Sequence, residues 1–202
     1  MRTKSWWSRT DNRLLEGGLA LAILLVSLFG VLLPVLGVTG PFDPIHVREV
    51  AIDGTTQLAG PVTEGQVSLV GTRNADLVLD DPDALQRLLL ALPEIVDSLL
   101  IVLILSLLLR MAHTLRDGDV FVPQNARRLR IIGVTALLLG YAVPLLTAAT
   151  TDALVSGTPA AEEIPFSYTV SGLPVLAALL ILALAEAFTR GAKLRADTEG
   201  LV

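Results

Sequence analysis

The sequence predicts an all-α membrane protein: four transmembrane helices with a small extracytoplasmic β-containing domain between helices 1 and 2. Three observations carry this. Four apolar segments of bilayer-spanning length divide the chain. Its residues are 52% hydrophobic and only 17% charged, whereas soluble domains run nearer one quarter charged. The basic residues crowd onto one side of the four segments.

A helix needs about 20 apolar residues to cross the hydrocarbon core. After a cytoplasmic N-terminus (1–16), the uncharged run 17–38 is long enough for the first span. It is longer than the apolar core of a signal peptide, and no small-x-small cleavage site follows it, so it reads as a retained helix. The second span, 92–111, is almost purely aliphatic from Leu99 to Leu109, with Glu94 and Asp97 at one end and Arg110 at the other. The third (131–151) and fourth (171–189) carry Pro144 and Glu186 respectively. Pro34 and Pro144 each free a backbone carbonyl within a span and can kink it.

Orientation follows from Lys and Arg. Twelve of the fifteen lie in the lead, in the segment 112–130 with its flanking Arg110, and in the tail 190–202. Only Arg48, Arg73 and Arg87 fall in 39–91, and none in 152–170. This predicts a multi-pass protein of the plasma (inner) membrane, N-in and C-in, with 39–91 and 152–170 outside. The lipid bilayer is the first partner implied.

A segment as long as 39–91 is not structureless in a compact protein. His46 to Ile52, Gln66 to Val70 and Ala75 to Leu79 read as short strands of one small antiparallel sheet, with turn signals at Asp53-Gly54 and Asp80-Asp81-Pro82. Asp83 to Ala91 reads as a short amphipathic helix with Leu85, Leu88 and Leu89 on one face, which Pro93 separates from the second span. The segment is a structural cap or a recognition module for an extracellular ligand. It has no sugar-stacking aromatic cluster and no calcium-loop pattern.

The chemistry-bearing residues are few. With no cysteine, disulfides, thiol catalysis, iron–sulfur clusters and thiolate zinc sites are excluded. His46 and His113 fall on opposite sides of the predicted membrane, which excludes bis-His haem. Ser106 has no membrane His or Lys base beside it, and Glu162-Glu163 lacks the Arg and His partners of an intramembrane prenyl-type protease. No catalytic residue, metal site or cofactor is therefore expected, nor direct nucleic-acid binding, and the chain reads as not an enzyme. Glu94 and Asp97 are candidate outer-mouth acids, placed at a helix N-terminus where the dipole favours them. Glu186 sits at the dipole-unfavourable end of its helix and is expected to pair with Arg190, four residues on, or with Arg110 across the bundle. Arg127, Arg128 and Arg130 are expected to reach anionic headgroups at the inner interface.

Two motifs remain. Gly118-Asp119-x-Phe121 is followed by Pro123, Asn125 and Arg128-Leu129, and Ala185-Glu186-x-Phe188-x-Arg190-Gly191 continues to Leu194, Arg195, Asp197 and Glu199. Together these resemble the signature of the bacterial membrane family described as domain of unknown function 2975. The likeness spans the topology, but its specific motifs occupy only about forty residues. It implies a four-helix inner-membrane protein without an established biochemical activity, whose members are often encoded beside a small helix-turn-helix regulator. The candidate interaction residues are thus Glu186, Arg190, Arg110, Phe121, Pro123, Arg128 and Asp197, and the candidate partners a cytoplasmic helix-turn-helix regulator or another membrane subunit. The reading these features favour is a regulatory or accessory protein; the alternative is a small transporter or channel subunit with Glu94, Asp97 and Glu186 along a path.

Overall fold

The computed structural model describes residues 9–40, 46–51, 63–64, 67–68, 74–116, 122–161, 164, 166, 168 and 172–199. The chain is mostly helical, with four helical segments long and apolar enough to span a membrane. The first consists of α1 (Arg9–Val26), a π-helical stretch (Ser27–Leu32) and α2 (Leu33–Thr39). The others are α3 (Ala84–Arg116), α4 (Pro123–Val155) and α5 (Gly172–Glu199).

Local chemistry sets the ends of these helices. Pro34 removes one backbone donor and crowds the preceding turn. The turn before it widens, so that Leu33 N–H donates to Leu28 O, five residues back. Thr39 ends α2, and Gly40 caps it in the left-handed conformation (φ 104°), donating to Leu36 O at 3.0 Å. α3 opens on a reciprocal capping box. Gln86 N–H donates to Asp83 Oδ1 (2.7 Å), and Asp83 N–H donates to Gln86 Oε1 (2.9 Å). Val122 is extended because it precedes proline, and Pro123 takes the first helical position of α4.

Pro93 does not divide an amphipathic helix from the second span, as the sequence reading expects. α3 runs unbroken through it, because a donor from elsewhere in the fold satisfies the carbonyl that the proline leaves open.

The helices pack as sequence neighbours in a row. The first segment rests on α3, α3 on α4, and α4 on α5. Small residues allow the close approaches. A Cβ at Gly133 would come within 2.8 Å of Leu182, and one at Gly140 within 2.6 Å of Pro174. Seven residues apart, these glycines share one face of α4. The facing positions on α5, Ala178 and Ala185, are fully buried. At Gly30, a Cβ would overlap the side chain of Ser98 on α3. Leu107 and Met111 of α3, Leu129 and Ile132 of α4, and Ala185 of α5 form an apolar cluster, closed by Ile104, Leu108, Ile181 and Phe188.

Neighbours in the row run antiparallel. Glu16 of α1 meets His113 of α3, Arg128 of α4 meets Arg110 of α3, and Arg130 of α4 meets Thr189 of α5. These contacts gather the start of α1 and the ends of α3 and α5 around the start of α4.

At the opposite end lie the strands. One sheet of three is expected; among the described residues the strands form two two-stranded ribbons. β1 (Val47–Ala51) pairs antiparallel with β4 (Asn74–Val78), Val47 opposite Val78 and Ala51 opposite Asn74. β2 (Thr63–Glu64) pairs with β3 (Val67–Ser68). The register explains the split: the expected second strand closes a two-residue hairpin on β2, leaving the first and last to pair with each other. The Asp53-Gly54 turn lies outside the described residues.

Candidate functional site

The most elaborate polar site joins β1 to the row of helices. Arg48, on β1, extends its guanidinium between α3 and α4. Nη1 donates to Thr150 Oγ1 (2.9 Å) and Thr151 Oγ1 (3.0 Å) near the end of α4. Nη2 donates to the carbonyls of Leu89 (2.8 Å) and Leu90 (2.7 Å) on α3. Leu89 is four residues before Pro93, so its carbonyl is the one that lacks a helical donor. A planar fork with five N–H groups can serve two helices at once, which a lysine ammonium cannot. Thr150 passes its own proton to Thr147 O at 3.1 Å, leaving its oxygen free to accept.

The acceptors lie in a partly buried setting. Leu90, Ala91, Thr150 and Thr151 are buried. Burial lowers the Arg48 pKa from its ordinary value, yet an arginine stays protonated in a protein. The charge is therefore held by oriented oxygen dipoles.

Beside the guanidinium is a shallow cleft of about 340 Å³, lined by Arg48, Pro93, Glu94, Asp97 and Thr147 among others. The two candidate outer-mouth acids thus share one cleft with Arg48. Among the described residues neither makes an ion pair with it. A second cleft, of about 350 Å³, lies against Glu49, Pro144, Thr151, Asp152 and Phe166.

The end of the row at which α4 starts carries the motif residues. Asn125 is fully buried. Its Nδ2 donates to Thr114 Oγ1 (2.9 Å), and its Oδ1 accepts from Arg128 Nη1 (2.9 Å). The same Nη1 donates to Arg110 O at 3.0 Å. Arg128 thus turns back onto the end of α3, where the sequence reading sends it toward headgroups. Arg110 contributes its carbonyl to this lock and makes no ion pair with Glu186 among the described residues.

Glu186 pairs with Arg190 on its own helix, Nε to Oε1 at 3.0 Å, with both side chains more than half exposed. Pro123 begins α4 in the open, and Asp197 is exposed on α5. Phe121 lies outside the described residues.

Two features escape the sequence reading. Arg48 counts there only toward the charge on the outer side. Its signal is available: a lone Arg on a predicted strand, and an open carbonyl forced by a proline inside a helix. Glu16, the last residue of the expected N-terminal lead (1–16), lies largely buried with Oε1 3.5 Å from His113 Nδ1, an ion pair when the histidine is protonated. Nothing local to either residue announces that contact.

Among the described residues no group of three His, Asp or Glu side chains is placed to hold a metal. Comparison of the chain with protein-family models, with curated proteins and with solved structures gives no match.

Proposed function

We propose that this chain is a non-enzymatic regulatory or accessory protein of the plasma membrane. It crosses the bilayer four times with both termini in the cytoplasm, and its outer strands are coupled to the helices. One observation carries the reading: Arg48 ties β1 to both α3 and α4 through four hydrogen bonds. Whatever moves β1 changes the partners of a helix carbonyl that has no helical donor of its own. An outer event is thereby linked to the α3–α4 pair, whose far end is the Asn125–Arg128 lock. The likeness of the two motifs to domain of unknown function 2975 supplies a partner class at that far end, a small cytoplasmic helix-turn-helix regulator. Another membrane subunit is the other candidate.

The apolar cluster between α3, α4 and α5 favours an interaction protein over a conduit. The transporter reading draws its support from Glu94 and Asp97 lining one cleft. Crosslinking and copurification from native membranes, paired with ion flux in liposomes holding the purified chain, separates the two. A regulatory protein recovers a defined partner and gives background flux. Flux that Glu94→Gln and Asp97→Asn abolish would replace this reading with the transporter. Reporter fusions after Thr72 and after Arg195 test the topology: outside and inside are expected, and the same side at both would end the four-span reading.

A further inference from the structure

At the start of α4 lies a cleft of about 370 Å³ whose lining includes Arg127 and Arg130 of α4, and Thr189 and Lys193 of α5. It falls within the size range of small-molecule sites, about 300–1,000 Å³. Among the described residues of its lining, three side chains are cationic and none is acidic. Among the described acids near it, Glu186 is held by Arg190, and Asp197, one turn beyond Lys193, does not line the cleft. Among the described residues no carboxylate pairs with any of the three cations. Arg130 is oriented by donating through Nη2 to Thr189 Oγ1 at 2.9 Å, and Thr189 is itself fixed by donating to Ala185 O at 2.8 Å. One of the cations is thus braced across the two helices that form the cleft.

A second feature adjoins it. Ile131, Val134 and Leu138 follow Arg127 on α4 at steps of four, three and four, so they form one stripe directly below it. All three are exposed on the protein surface, and they descend into the apolar span. A cationic pocket at the head of an exposed apolar stripe matches a molecule with an anionic head and hydrocarbon tails.

We infer that the cleft between Arg127, Arg130 and Lys193 binds the phosphate headgroup of an anionic phospholipid, whose acyl chain lies along Ile131, Val134 and Leu138. Arginine guanidinium groups suit phosphate oxygens in bidentate geometry, and the lysine adds a mobile point charge. Three cations favour a headgroup with two phosphates over one with a single phosphate. The inference rests on the membrane reading above, but on neither the sidedness of the chain nor its regulatory role.

The test uses the full chain, purified in neutral detergent. Native mass spectrometry measures binding of phosphatidylcholine, phosphatidylglycerol and cardiolipin, each added singly, with glycerol phosphate and inorganic phosphate as soluble probes. Cardiolipin is expected to bind about tenfold more tightly than phosphatidylcholine, with phosphatidylglycerol between them. Arg127→Gln, Arg130→Gln and Lys193→Gln combined should abolish that preference. Arg190→Gln, at the same end but outside the cleft, should retain it. A charge-preserving variant, Arg127→Lys with Arg130→Lys, should keep most of it, which separates lost charge from lost fold. Equal binding of all three lipids by the wild-type chain would overturn the inference, as would a preference that survives in the triple variant. Saturation by glycerol phosphate or inorganic phosphate at the same concentration as cardiolipin would reassign the cleft to a soluble anion. Failure of the chain to partition into vesicles at all would instead strike the membrane reading.

Discussion

Pro34 and Pro93 remove the same donor from two helices, and the protein fills the gap in opposite ways. Ahead of Pro34 the backbone itself yields. The turn Ser27–Leu32 widens, with Leu33 N–H donating to Leu28 O five residues back. Around Pro93 the helix keeps its course, and a guanidinium arrives from β1 to satisfy Leu89 and Leu90. The first repair is local. Its only demand on the neighbouring helix is room, which Gly30 provides against Ser98. The second is a tertiary contact that makes the integrity of α3 depend on the β1–β4 ribbon. A missing hydrogen bond can thus isolate a helix or couple it, according to where the replacement originates.

The largest expected effect comes from deleting the distant donor. Arg48→Ala leaves two part-buried helix carbonyls and the hydroxyls of two buried threonines without their cation. Hydrogen bonds to charged groups contribute about 1.5–3 kcal/mol each and do not add. A loss of about 2–4 kcal/mol is expected in thermal or denaturant unfolding in detergent. Arg48→Lys should recover only a minor part, since one ammonium cannot reach both helices. If Arg48→Ala unfolded at the wild-type temperature, the coupling would be absent.

The local repair is challenged by sterics. Gly30→Val places new atoms where Ser98 stands, and overpacking of this kind costs about 1–3 kcal/mol. Adding Ser98→Gly should restore part of the loss. An unrescued double variant would show that the π-helical turn, and not the contact, needs glycine.

A cycle between the two partners at Pro93 gives a smaller but more pointed number. Pro93→Ala returns an N–H to Leu89. In that background Arg48→Ala should cost about 1 kcal/mol less than it does in the wild type. Strict additivity of the two substitutions would mean that Arg48 does not stand in for the lost helical donor.

Glu186→Gln should have the smallest effect, below about 0.5 kcal/mol, because the pair with Arg190 is exposed and lies along one helix. Loss of several degrees in melting temperature on this substitution would point to a partner of Glu186 beyond Arg190.

The helices were legible because each is long and carries its own apolar pattern. Their ends were legible where a side chain acts on its own backbone, as with Pro123 at the start of α4. What stayed hidden depends on residues distant in sequence. Arg48 looks like any outer-loop charge until Thr150 is folded beside it, and Pro93 looks like a break until its carbonyl is seen to be served. The pairing of β1 with β4 was hidden for the same reason: three similar short strands do not encode which two meet. Of the motif residues, Asn125 and Arg128, one turn apart on α4, meet Thr114 and the Arg110 carbonyl of α3, while the Arg110 and Glu186 side chains do not pair, because Arg190 lies one turn from Glu186 and needs no tertiary approach.

The row of helices has a bearing on the order in which the molecule can be assembled. Each helix rests on its predecessor in the chain, so every hairpin can close as soon as its second member has been made, and contacts between sequence neighbours form quickly. Arg48 is the exception. It meets Thr150 across 102 positions, so the ribbon that carries it is synthesised long before its acceptor exists. Until the end of α4 emerges, half of the guanidinium's partners are missing and α3 holds its proline without a full clamp. The bond that ties strand to helices is therefore among the last to form, and a chain arrested before Thr150 would contain Thr114 and Asn125, which bond to each other at the opposite end, while still lacking the Arg48 acceptors on α4.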